Sequence, residues 1–200
     1  MKLLKVYDEN PNAKFIDTAV QALQKGEIII YPTDTLYALG CDALNNVAIE
    51  KICRIKSMKS DKTSLSIICE DIAQVSEYAQ FNNEQFKIMK ENLPGPFTFI
   101  FPALSKLPKA FKGRKTVGIR IPNNNIATLL VHRLGNPIMT TSIEYKDLDY
   151  AINPELIAEN YDNDASIIID GGYGDTTPST IIDFTEGNPV IIREGKGSLI

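Results

Sequence analysis

What most constrains this chain is the way two hydrophobic periods take turns along it. Short β-branched runs such as EIIIYP (27–32), SLSIIC (64–69), TVGIRIP (116–122) and NPIMTTSI (136–143) alternate with stretches in which apolar residues recur every three or four positions. The segment 12–25 predicts a helix, because Phe15, Ile16, Ala19, Val20 and Leu23 share one face and Gly26 stops it. The same spacing predicts helices over 45–56, 71–79, 83–92, the stretch IATLLVHRL ahead of Gly135, and near 154–161. PGPFTFIFPA (94–103) is a turn followed by a strand, and ASIIIDGG, STIIDF and PVIIREG are three further β runs. Such alternation predicts an α/β fold in one domain spanning 1–200: an open sheet with helices packed on it, mixed in strand direction because the last strands follow one another closely.

Charge and rare residues then narrow the chemistry. Lys and Arg number 21 against 25 Asp and Glu, a net charge of −4, so any hold on long nucleic acid must come from a local basic patch. Cys41, Cys53 and Cys69 are widely spaced with no CxxC pair, which is neither a disulfide framework nor a zinc signature and suits reduced thiols in the cytoplasm. The opening MKLLKVYDENPNAK has too short an apolar run for a signal peptide, and no run approaches the roughly 18 residues of a membrane span. The single histidine, His132, rules out multi-His metal sites and is expected on a helix surface.

Ligand sites in open α/β sheets lie beyond strand ends, so polar residues crowded there are the candidates. YPTDTLYALGCDA (31–43) offers the hydroxyls of Thr33, Thr35 and Tyr37 to a small polar ligand, or else forms a turn capped by Asp34. RIKSMKSDKTS (54–64) is a cationic loop, suited to phosphate or simply solvated. The turn of PGPFT (94–98) is expected to be architecture. In GIRIP, Arg120 stands alone among isoleucines on a strand and needs an anion, from the protein or from a ligand. TTS (140–142), DGGYG (170–174), PST (178–180) and REGKG (193–197) add hydroxyls, glycines and cations. No Walker A or GxGxxG motif occurs.

In order, YPTDTLYALGCDA, KICRIKS, LPGPFTFI, VGIRIPNN, PIMTTS, IIDGGYG, PSTIIDF and IIREGKG resemble the YrdC/YciO family over about residues 15–197. The resemblance implies a twisted, concave sheet with a positively lined cavity that binds ATP, with Mg2+ on its phosphates, and L-threonine. The family's synthases join bicarbonate and threonine, let the product attack the α-phosphate of ATP, and release threonylcarbamoyl-AMP and pyrophosphate for the modification of an adenosine in ANN-decoding tRNAs. Carried onto this chain, Lys56, Lys59, Ser142, Ser179 and Arg193 would serve ATP and its phosphates, and Thr33, Tyr37 and Arg120 would serve threonine. No protein ligand to a metal is assigned.

Two positions depart from the synthase pattern. Where synthases carry Lys-x-Arg this chain reads Lys56-Ser57-Met58, and where they carry Ser-x-Asn it reads Ser142-Ile143-Glu144. A glutamate beside a triphosphate is expected to weaken its binding unless it turns away or holds the metal. Both departures resemble the YciO branch. The alternative implied is a paralogue with little synthase activity that binds nucleotide or double-stranded RNA, tRNA included.

Overall fold

The computed structural model describes residues 1–57, 65–112, 115–143 and 148–200. Ten strands form one mixed sheet: β1 (Lys2–Lys5), β2 (Ile29–Tyr31), β3 (Ala38–Asp42), β4 (Ser66–Ile68), β5 (Phe97–Pro102), β6 (Thr116–Arg120), β7 (Ile138–Ser142), β8 (Ile167–Asp170), β9 (Thr180–Asp183) and β10 (Val190–Arg193). Their order across the sheet is β1-β8-β2-β3-β7-β4-β6-β5-β9-β10. Between them run α1 (Ala13–Gln24), α2 (Asn46–Ile55), α3 (Ile72–Val75), α4 (Asn83–Asn92), α5 (Lys109–Lys112), α6 (Asn125–Leu134), α7 (Leu148–Ile152) and α8 (Pro154–Asn160).

Local chemistry sets the helix limits. The Asn12 side chain accepts from the N–H groups of Lys14 and Phe15 to start α1. In α4 the Asn82 and Gln85 side chains cap each other's backbone N–H. Gly135, at φ 74°, ends α6 in a left-handed turn.

Side chains alternate across a strand, so register assigns each residue a face. One face carries Ile30, Leu39, Met139, Ile67, Ile119, Phe99 and Ile182, packed into the larger core with Ala48, Ile49 and Ile52 of α2, Met89 of α4 and Ile157 of α8. On the other face α1 and α6 cover β1, β8, β2 and β3 and reach Ile138 of β7 and Ile68 of β4, through Ile16, Val20, Leu23, Leu130 and Val131. Across the rest of that face the register lines up Ser142 and Thr140 of β7, Ser66 of β4, Gly118 and Arg120 of β6, Thr98 and Ile100 of β5, Ile181 of β9 and Arg193 of β10. Neither core includes Ile100 or Ile181. Among the described residues a strip of hydroxyls and two arginines therefore lies outside both apolar cores.

One sequence expectation needs correction. The helix expected over 71–79 stops at Val75, because Tyr78, Ala79 and Gln80 are drawn to the end of β5: Gln80 N–H bonds the Pro102 carbonyl at 2.9 Å and Ala79 bridges Ala103. ALGCD, for which the sequence predicts no element, is strand β3, held between β2 and β7 despite the weak strand preference of Ala and Gly. Of the three last β runs, β9 and β10 pair antiparallel, in keeping with the mixed sheet expected, and β8 lies apart from them. β8 slots in parallel between β1 and β2, while β9 and β10 extend the opposite edge. Among the described residues no helix is long and apolar enough to cross a membrane.

Candidate functional site

Arg120 is the deepest charge of the hydroxyl strip, 6% exposed. Its Nη2 donates to Asp34 Oδ1 at 3.0 Å and to Thr35 Oγ1 at 2.9 Å. Thr35 Oγ1 lies 3.1 Å from Thr33 Oγ1, which in turn donates to the Leu36 carbonyl. The second carboxylate oxygen of Asp34 accepts the Asn123 N–H at 3.0 Å, and its backbone carbonyl accepts from Lys196 Nζ at 2.7 Å. Lys196 also pairs with Asp175 at 2.7 Å. Asp34, read from sequence as a turn cap or nothing, thus ties together three loops: the one after β2, the one after β6 and the segment after β10.

One donor is left over. The Arg120 Nε is buried and has no hydrogen-bond partner. An unpaired buried donor costs about 1–3 kcal/mol, more when charged, so this edge of the guanidinium is suited to an incoming acceptor. Burial pulls the Arg120 pKa down, and the nearby Asp34 carboxylate and Tyr31 pull it back up.

Arg193 approaches from β10. Its Nε and Nη2 donate to the Ser179 carbonyl at 3.1 and 2.8 Å, and Nη2 reaches Ser179 Oγ at 3.3 Å. Burial lowers its pKa, and the positive charge of Arg120 lowers it further, so the two guanidiniums share one field. Ser179 Oγ lies 2.8 Å from Thr98 Oγ1, and Tyr31 OH donates to Thr140 Oγ1 at 2.9 Å. Gly118 lies between these hydroxyls because nothing larger fits: a Cβ there would run into the Ser66 hydroxyl and stand 3.2 Å from Thr98 Cγ2.

The structure brings together Thr33, Arg120, Ser179 and Arg193 with residues not singled out for the site from sequence: Asp34, Thr98, Thr140 and Lys196. Thr98 was hidden in a stretch whose proline turn read as architecture, and Lys196 among generic C-terminal cations. Ser142 is half-buried on the same face, two residues beyond Thr140. Tyr37 is placed otherwise than expected. It is fully buried in the larger core, and its hydroxyl donates to the Gly172 carbonyl at 2.7 Å and accepts the Gly171 N–H at 3.1 Å. Both hydrogen-bonding roles are spent on holding the DGGYG turn, and burial raises its pKa. Lys56 ends α2, half-buried, on a helix whose apolar stripe packs against the opposite face of the sheet. Lys59, Met58 and Glu144 lie outside the described residues. His132 is exposed on α6, its Nδ1 2.7 Å from Glu70 Oε1. Among the described residues no three His, Cys, Asp or Glu side chains gather as a metal cage.

A family model for Sua5, YciO and YrdC proteins, described as "Telomere recombination", matches residues 21–195. The uncharacterized protein YciO of Escherichia coli is 37% identical over 97% of this chain and 95% of its own length, and its crystal structure superimposes with a TM-score of 0.92. A threonylcarbamoyl-AMP synthase of Bacillus subtilis is 33% identical over 95% of this chain and 56% of its own length. The crystal structure of P. abyssi Sua5 complexed with L-threonine matches 98% of this chain and 58% of that one, at 29% identity and a TM-score of 0.88.

Proposed function

Because the chain belongs to the Sua5/YciO/YrdC family, we propose that it binds an adenine nucleotide and a small amino acid along the hydroxyl strip and joins them as the threonylcarbamoyl-AMP synthases do. The carrying observation is that Arg120 and Arg193 share one field over a floor of hydroxyls, with one carboxylate, Asp34, bonded to Arg120 and the Arg120 Nε left unpaired. That arrangement holds anions. The Arg120 edge takes the carboxylate of the amino acid; Arg193, with Ser179 and Thr98 behind it, takes phosphate oxygens.

Threonine and bicarbonate supply an N-carboxylated amino acid. Its new carboxylate oxygen bonds to the α-phosphorus of ATP, the bond from that phosphorus to the bridging oxygen breaks, and pyrophosphate departs with the electron pair. Such a displacement asks for positioning and charge neutralisation more than for an acid–base pair. A site of arginines, threonines and serines meets that demand. Mg2+ enters with the nucleotide, held by its phosphates. The L-threonine complex of the P. abyssi relative supports the amino-acid half of the reading.

Protein mixed with ATP, Mg2+, L-threonine and bicarbonate is expected to release pyrophosphate only when all four are present. Arg193→Ala, an exposed position, is expected to lower the rate by about a hundredfold or more, the usual effect of removing one charge-stabilising donor. Pyrophosphate no faster than with Arg193→Ala overturns the synthase reading.

One observation favours a second reading, duplex RNA. α2 and α5 are neighbours, Ala110 N–H bonding Asn46 Oδ1 at 2.9 Å, and both carry exposed cations, Lys51 and Arg54 on α2 and Lys109 on α5. RNA binding that falls steeply between about 50 and 200 mM salt, and that Lys51→Glu with Arg54→Glu removes, would support it.

A further inference from the structure

The segment after β10, residues 194–200, is laid back against the protein by its own backbone. The Gly195 N–H donates to Thr180 Oγ1 at 3.0 Å, and that hydroxyl donates to the Gly197 carbonyl at 2.6 Å. Gly195 lies so close to the stretch entering β9 that a Cβ there would collide with the Pro178 carbonyl. Lys196 N–H bonds the same carbonyl at 2.9 Å. Farther on, the Ile200 N–H reaches Asn92 Oδ1 at 3.1 Å. Contacts on either side thus fix the backbone from which the Lys196 side chain departs.

Its ammonium ends between two loops. Lys196 Nζ donates to the Asp34 carbonyl at 2.7 Å and pairs with the Asp175 carboxylate at 2.7 Å. The Asp175 N–H in turn reaches the Thr35 carbonyl at 3.2 Å. The loop after β2 carries Asp34 and Thr35, which hold Arg120. The loop after β8 carries Asp175 and leads to Ser179, which holds Arg193. One ammonium therefore fastens the loop that holds the first guanidinium to the loop that leads to the second. Two acceptors at 2.7 Å make it a charge-assisted clasp, and 43% exposure of the side chain keeps its strength modest.

We infer that Lys196 is a positioning residue: it sets the loop after β2, and with it the Asp34–Arg120 pair, in a fixed place relative to Ser179 and Arg193. Its effect on turnover rests on the synthase reading; its effect on the loops does not. The full chain is compared with Lys196→Met, which keeps the length and loses the charge, and with Lys196→Arg, which keeps a cation. Amide hydrogen exchange, followed by NMR without ligand, is expected to run about three- to tenfold faster in Lys196→Met at the N–H groups of Thr35, Asn123 and Asp175, the worth of one partly exposed charged contact. Amides within β3 and β7 should exchange as in the parent, and Lys196→Arg should restore most of the loop protection. In pyrophosphate release Lys196→Met is expected to raise the KM for L-threonine about three- to tenfold and leave kcat within about twofold, because the interaction lost serves the bound substrate and the transition state alike. Unchanged loop exchange, faster exchange at β3 and β7 as much as at the loops, or failure of Lys196→Arg to restore protection overturns the inference. So does a kcat that falls while KM stands still. A parent that makes no pyrophosphate refutes the synthase reading, and the exchange rates then decide the clasp by themselves.

Discussion

Asp34 and Arg120 make the sharpest test of how the site is held. Their side chains are 9% and 7% exposed and meet at 3.0 Å. Removing one partner of such a pair leaves the other charge buried without compensation, which costs about 3–5 kcal/mol. Asp34→Ala also strips the acceptor from the Asn123 N–H. For a chain of this size each kcal/mol moves the melting temperature by roughly 2–4 °C, so Asp34→Ala is expected to melt some 6–20 °C below the parent. Asp34→Asn keeps the shape and an acceptor and should lose less. The double variant Asp34→Ala with Arg120→Met has no buried charge left to compensate, and should recover at least about 1 kcal/mol of the summed single losses. Sulfate should stabilise Asp34→Asn more than the parent, because its Arg120 is left seeking an anion. Calorimetric melts of the parent, Asp34→Ala, Asp34→Asn, Arg120→Met and the double variant, with and without sulfate, decide the matter. A drop below about 3 °C for Asp34→Ala, or single losses that simply add, would refute the reasoning.

Gly118→Ala is expected to destabilise by about 1–3 kcal/mol in chemical denaturation, through the collision with the Ser66 hydroxyl, and Ser66→Ala in the same chain should return part of the loss. Alkylation at pH 8 followed by mass spectrometry should mark Cys53 first, since Cys41 and Cys69 are buried and burial pushes both thiols up; early labelling of either would contradict this. Lys196, with the N–H groups of Thr177 and Thr176, holds the Asp175 carboxyl below its usual range, so the stability it adds is full above roughly pH 4 and disappears as pH falls through the depressed value. Asp175→Asn should therefore be less stable than the parent near neutrality and converge with it in acid, as read by denaturant midpoints across pH.

Much of the scaffold was legible because its elements announce themselves locally. The stripe of α1 and the β-branched run of β2 are each decided by residues a few positions apart. β3 was not, because Ala38, Leu39, Gly40 and Cys41 have no strand signal of their own; flanking β2 and β7 make them a strand, and Gly40 admits the Tyr31 ring at close range. The site divides in the same way. Arg120 stood out as a strand arginine in need of an anion, and the structure supplies Asp34. That Asp34 would be the partner depends on a contact across 86 positions, and the Thr98–Ser179 contact spans 81. Tyr37 misled because a hydroxyl in a candidate loop says nothing of which face of the sheet it will occupy.

The place of β8 between β1 and β2 has a consequence for synthesis. Among the described residues Lys2–Lys5 pairs with Ile167–Asp170 alone, so this strand must wait, unmatched, until β8 has left the ribosome. Arg193, emerging later still, is among the last groups to arrive. Such distant pairings close slowly, and a nascent chain halted before β8 would present β1 and one side of β2 as open templates for neighbouring molecules.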